Sequence, residues 1–248
     1  MKQIFPSEKT LEPIDFYDRR RVSHTDRPWL ILNMIASIDG ATHISGTSGG
    51  LGGPADQKVL ATLRSFADVI LVGSGTVRAE NYGVPGIPSN ESGRRRSERE
   101  QSVRPRLAVV SGSGNLDPSI PMFDIDQKEG SVPLIYTTKA GAENLFEDFE
   151  SRAEIVVFDS EQVDMTRVLE DLHGREVSVV LGEGGPSLNH QLTEAQLVDE
   201  LCLTISPIVT GGTGAGIASG SVLSNPNRFH LAGLATQDEF LFCNYLAE

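Results

Sequence analysis

Residues 177–190 read VSVVLGEGGPSLNH. An apolar run ends in Gly182, Gly184, Gly185 and Pro186, with Glu183 between glycines. A buried strand, then glycines, then a helix start presents backbone N–H groups and the positive end of a helix dipole to an anion. Gly184 and Gly185 carry no Cβ, so a phosphate can approach the backbone closely. The same residues also describe a tight strand-to-helix turn with no ligand. The spacing is neither the dinucleotide GxGxxG nor a P-loop, because no Lys-Ser/Thr pair follows.

Two further turns have a related pattern. LVGSGTVRAE (71–80) follows a buried apolar run and includes Gly73, Thr76 and Arg78. VVSGSG (109–114) offers the Ser111 and Ser113 hydroxyls. In a parallel sheet all three turns fall at the carboxyl ends of strands, where open α/β sheets bind ligands. Ordinary turn chemistry explains each one equally well. Asp39 sits in Ser37-Ile38-Asp39-Gly40, after another apolar run. Such an aspartate either caps its own backbone or orients a substrate or water. Glu183, flanked by glycines, projects toward whatever the turn holds.

Other chemistries lack support. The five histidines have no pairing at metal-ligand spacing, so no metal is expected. Ser37, Ser74 and Ser111 sit in no GxSxG elbow. Cys202 and Cys243 form no CxxC pair, and two scattered thiols in 248 residues suit a reducing compartment. A net charge of −13 argues against nucleic acid or an anionic membrane as the main partner. No signal-like start and no membrane-length apolar run are present. The expectation is a cytoplasmic protein with a small-molecule substrate.

The elements that must position these residues follow from periodicity. WLILNMIAS (29–37), 68–76, 106–114, 132–138, 154–159, the start of the opening stretch, 199–206 and 239–247 read as strands. Helices are expected after Pro54, at 140–150, at 161–173 and at 186–195. Residues 89–106 carry six arginines, three glutamates and almost no apolar side chains, which reads as a solvated loop. Residues 1–28 read as an N-terminal arm and 29–248 as one domain. Alternating strands and helices predict an α/β fold, with a mostly parallel central sheet, helices on both faces and an antiparallel edge.

Taken in order, NMIASIDG (33–40), LRSFADVILVGSGTVRAE (63–80), VVLGEGGPSL (179–188) and LVDELCLTISPIV (197–209), with the following glycine pair, resemble the pyrimidine reductase of riboflavin biosynthesis. The likeness runs from about Trp29 to Leu246 and covers the reductase half of the bifunctional deaminase-reductase, implying a stand-alone reductase. It implies a dihydrofolate-reductase-like three-layer fold and a homodimer. It also implies NADPH-dependent reduction of the ribosyl group of a phosphorylated aminopyrimidine to ribityl.

By that resemblance Gly182, Gly184 and Gly185 hold the cofactor pyrophosphate. Gly73 and Thr76 lie beside the cofactor, Ser111 approaches the adenosine 2′-phosphate, and Ala36 neighbours the nicotinamide. Asp39 and Glu183 are the catalytic candidates, with Glu183 facing the substrate. Asn33, Ser37, Arg78 and Asn81 fall on the substrate side. Departures cluster there: Asn33 stands where the family commonly has lysine, and Glu80-Asn81-Tyr82 replaces an Asp-Asp-Pro. These changes keep two alternatives open, a reductase of another heterocycle such as a dihydropterin and a non-catalytic NADPH-binding protein.

Overall fold

The computed structural model describes residues 1–88, 90–124, 132–212 and 214–248. The elements, in chain order, are β1 (Lys2–Phe5), β2 (Lys9–Thr10), α1 (Pro13–Phe16), β3 (Trp29–Ser37), α2 (Pro54–Arg64), β4 (Val69–Gly73), α3 (Ser74–Ala79) and α4 (Asn90–Glu98). Next come β5 (Arg106–Val110), β6 (Leu134–Thr138), α5 (Lys139–Ala142), α6 (Phe146–Phe149), β7 (Glu154–Phe158) and α7 (Met165–Gly174). The chain ends with β8 (Val179–Gly182), α8 (Pro186–Glu194), β9 (Glu200–Ser206), β10 (Phe229–Gln237) and β11 (Phe240–Ala247). The chain divides into two compact units: Met1–Arg21, Trp29–Arg64 and Leu181–Glu248 form the first, and Val22–Pro28 with Ser65–Val180 the second.

In the first unit the strand order is β2-β1-β10-β11-β9-β3. The β3–β9 pair is parallel, with Ile31 opposite Glu200 and Ser37 opposite Ser206. The remaining pairs are antiparallel, which gives the expected antiparallel edge. Leu30, Ile31 and Leu32 of β3 are buried, as a continuous apolar run requires. Strand β10 lies outside the strands expected from periodicity. A bulge between Leu231 and Gly233 breaks its alternation, and a Cβ at Gly233 would lie 3.0 Å from the Phe16 ring.

The first 21 residues are built into this unit rather than extended from it. Lys2 pairs with Thr236 and Gln3 with Ala235. Glu200 is fully buried, and Arg21 grips it with Nε to Oε2 at 2.8 Å and Nη2 to Oε1 at 3.0 Å. Asn244 Nδ2 donates to the same carboxylate at 2.8 Å and Trp29 Nε1 at 3.3 Å. Arg19 Nε lies 3.5 Å from it. Burial pushes the neighbouring Cys202 thiol and Tyr17 phenol well above their ordinary ranges.

The second unit holds four parallel strands in the order β4-β5-β6-β7. Val69 to Val72 of β4 are buried. Helix α7 covers its side of the core with Val168, Leu169 and Leu172, the face that its 3.6-residue period predicts. The expected helix at 140–150 is two short ones, α5 and α6.

The reading of 89–106 as a solvated loop is corrected over 90–98, which form α4. No apolar stripe supports this helix. Arg94 pairs with Glu91 and Glu98, and Arg95 with Glu91, at three- and four-residue spacing. Arg96 turns inward, 2% exposed, and donates to the carbonyls of Ala67 (2.6 Å), Ser102 (2.8 Å) and Ser65 (3.3 Å). Burial brings its guanidinium down to about 10, with Asp68 opposing.

Candidate active site

In the first unit β3 delivers Asn33, Ala36 and Ser37 toward its carboxyl end. Asn33 is half-buried, and Ala36 and Ser37 are buried. Ser37 Oγ donates to Asp39 Oδ1 at 2.6 Å and accepts the Ala41 N–H at 2.9 Å. Asp39 Oδ1 also accepts the Thr210 N–H (3.2 Å), and Oδ2 the Gly211 N–H (2.7 Å). The Ser37 hydroxyl, then the Gly211 and Thr210 amides, hold the exposed Asp39 carboxyl down at about 2. At neutral pH it is therefore an acceptor, not a proton donor.

Strand β8 ends at Gly182, and α8 starts at Pro186 with Gly185 as its N-cap. Gly184 takes φ +79 and the Gly184–Gly185 peptide is cis. A Cβ at Gly184 would lie 3.3 Å from Met34 Sδ, and one at Gly182 3.2 Å from Leu32 Cδ1. At both positions a side chain would press on β3, and at Gly184 the positive φ itself favours glycine. Among the described residues no side chain caps α8, so the N–H groups after Pro186 and the helix dipole can meet an anion. Glu183 does not point freely into the turn: Arg64, at the end of α2, donates to both its oxygens at 2.7 Å.

Residues 207–228 contain no helix or strand among the described residues. Long structureless loops in compact folds are usually functional, and this one is strapped to both site elements. Asp39 holds Thr210 and Gly211, Thr42 Oγ1 donates to Ala215 O at 2.9 Å, and Ser219 N donates to Pro186 O at 2.9 Å. Asn189, fully buried in α8, donates from Nδ2 to Ile217 O at 2.7 Å and contacts Met34 Sδ at 3.0 Å. Sequence reasoning assigned no role to Arg64, Thr42, Asn189 or Thr210. Arg64 and Asn189 lie inside the quoted stretches, but their partners are distant in sequence.

In the second unit Gly73 caps α3, which carries Thr76 and Arg78. Arg78 is exposed, and its Nη1 donates to Asn115 O at 2.7 Å. Asn81 takes φ +45, and the Tyr82 N–H reaches Val77 O at 3.1 Å, a left-handed stop to the helix. Ser111 is 1% exposed; its carbonyl accepts from Thr137 Oγ1, while its own Oγ has no partner among the described residues. A buried, unsatisfied hydroxyl is costly unless a ligand completes it.

The site residues thus fall into two groups: Asn33, Ala36, Ser37, Asp39, Gly182, Glu183, Gly184 and Gly185 in the first unit, and Gly73, Thr76, Arg78, Asn81 and Ser111 in the second. The family model of the RibD C-terminal domain matches residues 28–239. The chain belongs to that family. A relative from Methanothermobacter thermautotrophicus, a 2,5-diamino-6-ribosylamino-4(3H)-pyrimidinone 5′-phosphate reductase, is 30% identical over 189 residues, 76% of this chain and 82% of that protein. The riboflavin biosynthesis protein RibD of Escherichia coli is 26% identical over 79% of this chain, which spans 52% of that longer protein. The crystal structure of a pyrimidine reductase-like protein from Corynebacterium diphtheriae is 26% identical, with a TM-score of 0.83 over 96% of this chain and 99% of that one. The expected α/β, dihydrofolate-reductase-like fold is the fold of the RibD family and of this chain.

Proposed function

We propose that this chain is an NADPH-dependent reductase that converts the ribosyl group of a phosphorylated ribosylaminopyrimidine to ribityl in riboflavin biosynthesis. The observation that carries the reading is the glycine turn at the start of α8. The turn packs closely on β3 at Gly182 and Gly184 and ends, among the described residues, on a helix N-terminus that no side chain caps. That donor set suits a pyrophosphate, and it supplies local positive potential against a net charge of −13. Family membership and the names of the stand-alone relatives supply the substrate class. No described helix is long and apolar enough to cross a membrane. A cytoplasmic location is part of the proposal and rests on two buried, unbridged cysteines.

NADPH, when bound, supplies the hydride. Gly182, Gly184 and Gly185 hold its pyrophosphate, and Ala36 leaves room beside the nicotinamide. In the second unit we propose cofactor contacts at Gly73, Thr76 and Ser111. Asp39 keeps the 210–211 segment on the β3 turn and so acts by positioning. Glu183 offers acceptor oxygens to substrate hydroxyls, with Asn33, Ser37, Arg78 and Asn81 as substrate-side positions. Both Glu183 oxygens accept from Arg64 and the Asp39 carboxyl is ionised, so water is the proton source.

NADPH oxidation with the ribosylaminopyrimidine phosphate and with a dihydropterin, measured side by side, tests the substrate. Turnover of the pyrimidine alone is expected. Turnover of the dihydropterin alone would transfer the reading to another heterocycle.

Ser111→Ala is expected to weaken NADPH binding several-fold and leave NADH binding unchanged, because only NADPH carries the 2′-phosphate that would satisfy Oγ. Calorimetric titration of both cofactors checks this; equal losses would remove Ser111 from the phosphate.

A homodimer belongs to the same proposal. Leu201, Leu203 and Ile205 of β9 stand opposite Tyr245, Cys243 and Leu241 of β11 on one sheet face. All but Cys243 are half-buried or exposed, an apolar face of the kind dimers cover. Sedimentation velocity should show a dimer that Leu203→Asp converts to monomer. A monomeric wild type would contradict it.

A further inference from the structure

Glu183 sits between two glycines, one of them at φ +79, so the turn itself does little to fix its side chain. Yet that side chain is only 8% exposed. What holds it is Arg64, whose Nε meets Oε1 and whose Nη2 meets Oε2, both at 2.7 Å. A planar guanidinium facing a carboxylate through two parallel bonds fixes orientation as well as distance. The two residues are 119 positions apart, and both lie in the first unit. An exposed surface pair would contribute little. Here the carboxylate is nearly enclosed, and it projects from the turn that the reductase reading assigns to the cofactor.

We propose that Arg64 is a positioning residue: it locks the Glu183 carboxylate as a fixed acceptor for a hydroxyl of the substrate. The inference rests on the reductase reading above. In this role Arg64 acts on turnover through Glu183. Misplacing a reacting partner by about an ångström costs on the order of 100-fold in rate. The loss should therefore appear in kcat, with NADPH affinity untouched.

A double-mutant cycle tests this with the full chain. Arg64→Ala, Glu183→Ala and the double variant are assayed at saturating NADPH, and NADPH affinity is measured separately by fluorescence quenching. Arg64→Ala is expected to lower kcat on the order of 100-fold, and Arg64→Lys, which keeps the charge but not the fork, by less. The double variant should be no slower than Glu183→Ala alone, because residues acting as one unit do not add. If Arg64→Ala fails to fold, Arg64→Lys runs the same cycle. Losses that multiply in the double variant, or a wild-type kcat in the Arg64 variants, would overturn the role of Arg64 and leave the reductase reading standing. A wild type that oxidises no NADPH with any ribosylaminopyrimidine phosphate would overturn the reductase reading, and this inference with it.

Discussion

Gly185→Val is expected to weaken NADPH binding by about 100-fold or more, roughly 3 kcal/mol, in a protein that still folds. Gly184 takes φ +79, so any side chain there strains the backbone whatever else it does. Gly185 takes φ −81 and ψ −172, extended backbone that valine readily adopts. Its cost as a helix cap is small, about 1 kcal/mol at most. A branched side chain at this N-cap position is expected to intrude on the phosphate proposed to sit before α8. Calorimetric titration with NADPH, alongside circular dichroism to confirm folding, reads the effect. Unchanged affinity in a folded variant would leave the glycine turn as a strand-to-helix connection and nothing more.

Glu200→Ala carries the largest expected effect on stability. The Glu200 side chain is 0% exposed and that of Arg21 only 3%. Removing the carboxylate takes the charged partner from the buried Arg21 guanidinium and breaks the bonds that the Asn244 amide and the Trp29 indole N–H donate to it. Breaking one partner of a buried ion pair costs about 3–5 kcal/mol, a large share of the stability of an ordinary domain. Urea unfolding should register that loss, and the chain around Arg21 should become protease-sensitive, since Glu200 is what fastens it to β9. A loss below about 1 kcal/mol would mean that the cluster is solvated and contributes no more than a surface pair.

These two residues illustrate what a sequence shows and what it hides. Strand β3 was legible to the residue, Trp29–Ser37, because a continuous apolar run has few other uses. Helix α8 was legible from Pro186 because glycines and a proline mark its start. Helix α4 was hidden: its support is charge pairing along the helix and one inward arginine, and neither produces an apolar period. Strand β10 was hidden by its bulge.

At the site, the glycines and Asp39 were legible as positions but not as roles. Asp39 could equally have capped its own turn or met a substrate. The partners that decide between these, Thr210 and Gly211, are about 170 residues away. Glu183 read as a free side chain because nothing local announces Arg64. The Glu200 cluster left no trace in the pattern, since its arginines looked like part of a polar arm. Long-range polar pairing has no period, so it is the part that only the fold reveals.

The most direct test of the central claim uses NADPH deuterated at the transferable position of the nicotinamide, incubated with the ribosylaminopyrimidine phosphate. Mass spectrometry of the product should find one deuterium on the former anomeric carbon of a ribityl chain, formed in step with cofactor oxidation. Folded protein that binds NADPH yet yields no deuterated ribityl product would contradict the reductase account and favour a binding role for the glycine turn.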